Sequence, residues 1–301
     1  MAVIRRASPP DCTVMRVEAG EITLEVDCLG DPGAPPLLFL HGFPEHRVAW
    51  RKVANALAEK HYCILPDLRG YGQSGRPKAE TAYGIEKLLS DVDALVAFCG
   101  PQVPTLIGHD WGGILAWYYA AKHPDRIAQL VIANAPHPAL FQRRLIDHPA
   151  QRLASQYITR LRLPGAAQTS LAAGASGLWD RLFGQNPAYT AEDRAAYIAS
   201  WEIPGAIEAM LNWYRQAPFV VPAPGEACAM PAWAVANDLI VNVPVLNLWG
   251  MADQVLLPCL LDGLSDVAPA FQLECYEGAS HAIIHELPAL LAAQIAEFCA
   301  A

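Results

Sequence analysis

Charge is scarce in these 301 residues: Asp, Glu, Lys and Arg make up 17% of the chain, against 53% hydrophobic side chains. A chain so poor in charge has ample apolar material for a large core and is not disordered or of low complexity. Positive charge is scarcer still, because 21 basic residues against 30 acidic ones leave a net charge of −9. Nucleic acid and an anionic membrane surface are therefore not expected partners. Long apolar runs are missing too. The longest, Gly112 to Ala121, has ten residues, well short of the roughly 18 that a spanning helix needs. Met1 to Pro10 carries Arg5 and Arg6 with no apolar stretch behind them, so no secretory signal is expected. The eight cysteines, at 12, 28, 63, 99, 228, 259, 275 and 299, form no CxxC pair and stand mostly inside apolar segments. They predict reduced core residues of a cytoplasmic protein rather than a disulfide framework. No His or Cys cluster has metal-ligand spacing, no dinucleotide fingerprint is present, and there is no internal repeat or flexible linker. No cofactor or metal is expected.

What is present alternates. The segments TVMRVE and EITLEVDCL, separated by Ala19-Gly20, predict an antiparallel hairpin from Thr13 to Leu29. Short apolar runs follow: LLFL (37–40), YCILP (62–66), TLIG (105–108), LVIAN (130–134) and VLNLWG (245–250). They have the character of buried parallel strands. Between them, Ala49 to Lys60, Tyr83 to Cys99 and Trp111 to His123 carry apolar residues at helical spacing. The result is a βαβ sheet with an antiparallel start. After Asn134 the alternation stops for about 110 residues, a gap no ordinary connection fills. Helical pieces at Pro149 to Leu163 and Ala191 to Trp201 predict an inserted helical cap, within which the Gly-, Ala- and Ser-rich stretch Gly165 to Gly177 suggests an entrance loop. The sheet then resumes with VLNLWG and FQLECYE (271–277), and Pro288 to Cys299 predicts a closing amphipathic helix. The division expected is core 1–136, cap or lid 137–240, and core 241–301.

The sharpest motif is Gly108-His109-Asp110-Trp111-Gly112-Gly113, in which an apolar strand runs through Gly-x-Asp-x-Gly into a helix. This is a nucleophile elbow with aspartate where serine usually stands. Its glycines suit a strained turn whose flanking backbones approach too closely for side chains. At the N-terminus of the following helix, the dipole and free N–H groups favour a carboxylate. A helix N-cap is the alternative role for Asp110, but a cap does not require glycine on both sides. Asp253 follows the strand VLNLWG, and His281 follows FQLECYE. The order nucleophile, acid, histidine is that of the α/β-hydrolase fold. His41-Gly42-Phe43-Pro44 after LLFL can aim the Phe43 N–H at the same point as the Trp111 N–H, as an oxyanion hole. Asp238, Asp262 and Asp266 compete with Asp253. His285 competes with His281 and is expected instead to touch Glu286 or its loop, while His41 and His109 are expected to be hydrogen-bonded supports.

On HGFPE (41–45), DLRGYGQS (67–74) and GHDWGG (108–113), the chain resembles the α/β-hydrolase superfamily and, within it, the epoxide hydrolases that use an aspartate nucleophile. The resemblance spans nearly the whole chain. It implies a mostly parallel eight-stranded sheet flanked by helices, with an inserted helical cap. It also implies two cap tyrosines that meet the epoxide oxygen: Tyr214 in LNWYR (211–215), and Tyr157 seven residues before Pro164-Gly165, with Tyr189 and Tyr197 in reserve. The implied activity is that of a hydrolase acting on ether bonds. Asp110 would attack a ring carbon, and His281 with Asp253 would activate the water that cleaves the ester. The implied partners are a small-molecule epoxide and water, with a homodimer left open. GHDWGG is shared with haloalkane dehalogenases, which would use the same triad with Trp111 as one halide donor and a cap tryptophan such as Trp179 or Trp213 as the second; Phe43 closes the route that needs asparagine there. Arginines one and four residues after the nucleophile, expected of fluoroacetate-type dehalogenases, are replaced by Trp111 and Ile114. A non-catalytic binding protein would show a broken triad, and here all three members survive.

Overall fold

A computed structural model describes residues 12–235 and 239–300. Met1 to Pro10, where no secretory signal is expected, and the competing acid Asp238 lie outside the described residues. β1 (Cys12–Ala19) and β2 (Ile22–Leu29) pair antiparallel, and Gly20, at φ +61, takes the left-handed turn conformation that costs glycine least. β3 (Pro36–Leu40), β4 (Tyr62–Pro66), β5 (Thr105–His109), β6 (Gln129–Ala133) and β7 (Val245–Gly250) are buried at almost every position. Continuous apolar runs demand that burial, because they have no polar face to offer water. β8 (Phe271–Tyr276) differs: four of its six residues are exposed, as suits the mixed sequence FQLECY at a sheet edge.

The eight strands lie in the order β1-β2-β4-β3-β5-β6-β7-β8, with every pair from β4 onward parallel. The chain therefore steps outward from β3 to β4 and returns across β3 to β5, with Leu38 paired to Ile64 on one side and Leu106 on the other. Connections diverge at such a reversal and open a crevice at the carboxyl ends of the strands. The loops after β3 and β5 face one another there.

Helices cover both faces. α1 (Arg51–Leu57) and α14 (Pro288–Ala300) pack on one, where Trp50, Val53, Ile295 and Phe298 are buried. Trp50 also donates its indole N–H to the Leu40 carbonyl at 3.0 Å, which pins the end of β3 just before the HGFPE loop. α2 (Ile85–Phe98) and α3 (Asp110–Lys122) cover the other face through Leu88, Val92, Leu115 and Tyr119. Burying each such side chain stabilises the fold by roughly 1.5–3 kcal/mol.

Among the described residues, eight α-helices stand between β6 and β7: α4 (Pro138–Asp147), α5 (Pro149–Ala154), α6 (Tyr157–Leu161), α7 (Ala166–Ser170), α8 (Gly174–Leu182), α9 (Ala191–Trp201), α10 (Ala206–Gln216) and α11 (Ala232–Val235). α9 has the predicted limits, closed by a capping box between Thr190 and Asp193. Two expectations need correction. The single helix over 149–163 is broken into α5 and α6 at Ser155 and Gln156, and the entrance loop at 165–177 is largely α7 and α8. Gly165 and Gly174, both at positive φ, stand at the N-terminal boundaries of these helices; they punctuate them instead of dissolving them. α12 (Leu264–Val267) and α13 (Ile283–Glu286) complete the chain. All eight cysteines are free, but only Cys28, Cys63 and Cys99 are buried, and Cys275 is exposed. Among the described residues no helix is long and apolar enough to cross a membrane, and no group of three metal-ligating side chains gathers.

Candidate active site

β5 runs directly into α3, and the junction is Asp110 at φ +50. For a residue with a Cβ this conformation costs roughly 1–3 kcal/mol and must be held by its surroundings. The surroundings are the glycines. A Cβ on Gly108 would stand 2.6 Å from the Gly112 carbonyl oxygen, and one on Gly112 would run into the carbonyls of Leu40 and His41. Gly42 is as constrained, since its Cβ would meet that of Asp110 at 2.5 Å. The loop after β3 therefore lies against the elbow, and the Phe43 N–H donates to Asp110 Oδ1 at 2.8 Å. Trp111 is the second residue of α3, where a backbone N–H has no partner within the helix. Asp110 is buried, at 7% exposure.

Asp253 and His281 come from the loops after β7 and β8. Asp253 Oδ1 accepts from the backbone N–H groups of Val255 and Leu256 at 2.8 and 2.9 Å. Its Oδ2 accepts from Asn134 Nδ2 at 2.8 Å and from His281 Nδ1 at 2.7 Å. The far nitrogen, His281 Nε2, is 3.5 Å from Asp110 Oδ2. Carboxylate, imidazole and carboxylate thus form one line. Burial pushes the Asp253 pKa up, but His281 and the two backbone donors outweigh it and hold the carboxyl below its ordinary range. Burial likewise disfavours a charged His281, yet Asp253 and Asp110 on either side lift its pKa well above the ordinary histidine value. The rival acids Asp262 and Asp266 are exposed, and Asp262 faces Arg144 instead.

Several buried groups hold this line, and the sequence pattern assigns no role to two of them, Asn134 and Glu45. Asn134, at φ +38, bridges Asp253 to the Gly250 N–H, from which its Oδ1 accepts at 2.7 Å. Glu45 is 2% exposed and collects His109 Nδ1 at 3.0 Å, His285 Nε2 at 3.0 Å and the Tyr197 hydroxyl at 3.1 Å. Burial raises its pKa, but His109 and His285 more than offset this and hold it well below the carboxylate range. His109 in turn donates from Nε2 to the His281 carbonyl at 2.9 Å. His41 is satisfied by Gly42 O and the Leu68 N–H, as expected of a support. The expectation for His285 is corrected: it reaches Glu45 and Tyr197, not Glu286, which accepts from Ser280 and Asn186. Successive residues on the helical turn α13 point about 100° apart, so sequence neighbours there face different partners. Beside the site, the 67–74 loop is rigid: buried Asp67 accepts from Arg47 and the Gln73 N–H, and Arg69 meets Asp91 twice at 2.7 Å.

Tyr157 opens α6 and Tyr214 lies near the end of α10, with ring centroids 6.1 Å apart. Tyr214 also meets Phe43 and Trp111 edge-on at 4.9 and 5.0 Å. Both tyrosines line a cavity of about 550 Å³ together with Phe43, Asp110 and His281. Burial and the neighbouring Asp110 push both phenols above their ordinary pKa, so each is a hydroxyl donor at neutral pH. Of the reserves, Tyr189 touches the cavity and Tyr197 is committed to Glu45. The indole of Trp213 donates to the Arg69 carbonyl at 3.0 Å, and neither Trp213 nor Trp179 is part of the cavity wall. A carboxylate on a predominantly apolar cavity, two hydroxyl donors lining the same cavity and an acid-held histidine alongside are the parts needed for nucleophilic displacement followed by hydrolysis.

A family model described as the alpha/beta hydrolase fold matches residues 35–286. The chain is 33% identical over 286 residues to the AB hydrolase superfamily protein YfhM of Bacillus subtilis, covering 94% of this chain and 96% of that one. It is 31% identical over 323 residues to Epoxide hydrolase A of Mycobacterium tuberculosis, covering 94% and 95%. Among solved structures, one described under novel epoxide hydrolases in metagenomes from hot environments superposes with a TM-score of 0.87 at 34% identity, covering 95% and 98%. An epoxide hydrolase from Bacillus megaterium, complexed with its product (R)-3-[1]naphthyloxy-propane-1,2-diol, superposes at 0.84 with 27% identity, covering 95% and 100%.

Proposed function

The chain belongs to the α/β-hydrolase family, and from that premise we propose that it is an epoxide hydrolase working through a covalent ester on Asp110. The observation that carries this reading is the meeting, in one cavity, of the Asp110 carboxylate, His281 and the paired phenols of Tyr157 and Tyr214. The names of the relatives, spanning nearly the whole chain, support the same substrate class.

Asp110 attacks an epoxide carbon, the C–O bond breaks, and the ring oxygen takes a proton from a tyrosine hydroxyl as its charge develops. Ester formation removes the negative charge of Asp110, one of the influences that raise the His281 pKa. His281 then accepts a proton from water, which attacks the ester carbonyl; Asp253 holds the imidazole and compensates its charge. The Phe43 N–H, already directed at Asp110 Oδ1, and the Trp111 N–H stabilise the oxyanion. The tetrahedral intermediate collapses with cleavage of its bond to the diol oxygen, which takes the proton held by His281; the carboxylic acid left on Asp110 gives its proton back to the tyrosinate, so that diol departs and carboxylate, imidazole and phenol are restored. In this reading the core comprises 1–136 and 241–301, and 137–240 is the cap that supplies the proton donors.

The dehalogenase reading needs a second N–H donor to halide, and the commitment of Trp213 to Arg69 speaks against that residue. A paired assay tests the choice, with Asp110→Ala as the blank. The expected outcome is diol from styrene oxide and no bromide from 1-bromobutane; bromide without diol would overturn the proposal.

A further inference from the structure

His281 is held by more than its side chain. Its carbonyl accepts from His109 Nε2 at 2.9 Å, and the residues on either side of it lead to one carboxylate. Glu286 accepts the Ser280 N–H at 2.7 Å and the Ser280 hydroxyl at 2.5 Å, while that hydroxyl oxygen accepts the Ala282 N–H at 3.2 Å. A third donor comes from the insertion: Asn186 Nδ2 donates to Glu286 Oε1 at 2.7 Å, the oxygen that also meets the Ser280 hydroxyl. All three donors are neutral, so directed, charge-assisted hydrogen bonds set where the carboxylate stands.

Asn186 is itself oriented. Its Oδ1 accepts the Ala188 N–H at 3.0 Å, which leaves the amide nitrogen for Glu286. The Ala188 carbonyl in turn accepts from Lys52 Nζ of α1 at 3.0 Å, and Lys52 meets Asp193 at 2.9 Å. The stretch from Asn186 to Asp193 is thus fastened to the core at both ends. Other hydrogen bonds from the insertion, such as those of Tyr197 to Glu45 and of Trp201 to the Pro44 carbonyl, end on the HGFPE loop. The Asn186 bond ends on the group that holds the residues around His281. Asn186 and Ser280 both line the catalytic cavity, so this tie passes from insertion to core at the cavity wall.

We propose that Asn186 is a positioning residue for His281: through Glu286 and Ser280 it couples the seating of the insertion to the placement of the histidine that activates water. This rests on the epoxide hydrolase reading above and deepens it. In that reading His281 moves no proton while Asp110 opens the ring; it is needed when the ester is cleaved. A device that acts through the backbone on either side of His281 therefore bears on ester hydrolysis and leaves alkylation nearly alone. A misplaced base costs rate steeply, up to about 10²-fold for a shift of about 1 Å.

The test exchanges donor and acceptor across the tie. Asn186→Asp keeps the shape but sets a carboxylate against Glu286, and adding Glu286→Gln restores a donor to face it. Single-turnover kinetics with styrene oxide should show ester hydrolysis about tenfold slower in Asn186→Asp, alkylation changed by less than about twofold, and most of the loss regained in the double variant. Asn186→Ala, which removes the donor without adding charge, should show the same split in smaller measure. Hydrolysis unchanged in both single variants, the two half-reactions slowed alike, or losses that accumulate in the double variant would overturn the proposal. A second readout needs no turnover: the Nδ1 proton of His281, in its 2.7 Å hydrogen bond to Asp253, followed by NMR and assigned by its loss in His281→Gln. Its resonance should move in Asn186→Asp and return in the double variant; a resonance that stays in place would overturn the coupling. An unaltered protein that forms neither ester nor diol would remove the epoxide hydrolase reading, whereas a resonance that still answers to Asn186 would keep the link to His281.

Discussion

Asp253 is held by four hydrogen bonds from backbone and side chains, whereas Tyr214, on the cavity wall, meets Phe43, Trp111 and Tyr157 through aromatic packing. The first kind of placement belongs to the strand-end loops and the second to the inserted helices. Loops anchored on a buried sheet fix distances such as the 3.5 Å between His281 and Asp110; α6 and α10 decide where the two tyrosines stand. In the proposed mechanism the nucleophile and the base would therefore depend on the sheet, and the proton donors on the insertion.

Substitutions sharpen or break that contrast. The largest effect is expected at the elbow: Asp110→Ala should lower turnover of styrene oxide by at least about 10⁴-fold, because no other group forms the bond. A steady-state diol assay measures it. In the insertion, Tyr214→Phe should slow the alkylation half-reaction by about 10²-fold and the hydrolysis of the ester much less, as single-turnover kinetics would show. If both steps slowed alike, Tyr214 would belong to the framework and the contrast would fail.

Stability should divide the same way. Gly108→Ala forces a Cβ against the Gly112 carbonyl and the Gly113 Cα and should cost about 1–3 kcal/mol in urea unfolding. Gly205→Ala, at φ +78 with open space around it, should cost only about 1 kcal/mol, from the backbone conformation alone. The smallest effect concerns pH. The folded pKa of His281 is raised, so its ion pairs stabilise the fold fully below the unfolded value of about 6.5 and lose that contribution as pH rises through the folded value. The stability difference between the unaltered protein and His281→Gln should therefore shrink with increasing pH above about 6.5. A difference that grew instead would contradict the charged pairing.

The elbow, the HGFPE loop and the two loops bearing Asp253 and His281 were legible because each follows a short apolar strand, and a buried strand announces its own end. The glycines of GHDWGG are legible for the same local reason: the contacts that exclude a Cβ lie mostly within the motif or on the adjoining strand. Glu45 was in plain view inside HGFPE, but its partners His109, Tyr197 and His285 lie 64, 152 and 240 residues away and meet only in the fold. Asn134 was hidden likewise, since its use depends on a loop 119 residues further on. In the insertion, local rules misled. Glycines at helix boundaries resembled a loop, and a helical pattern over 149–163 concealed the break that makes Tyr157 the first residue of its own helix.

The covalent ester is the central claim, and the most direct measurement is the intact mass of His281→Gln after incubation with styrene oxide. Without a base to activate water, the account predicts a gain of one epoxide mass, carried by a peptide containing Asp110 and absent from Asp110→Ala. A His281→Gln protein that stays at its original mass, while the unaltered enzyme produces diol, would contradict the covalent mechanism.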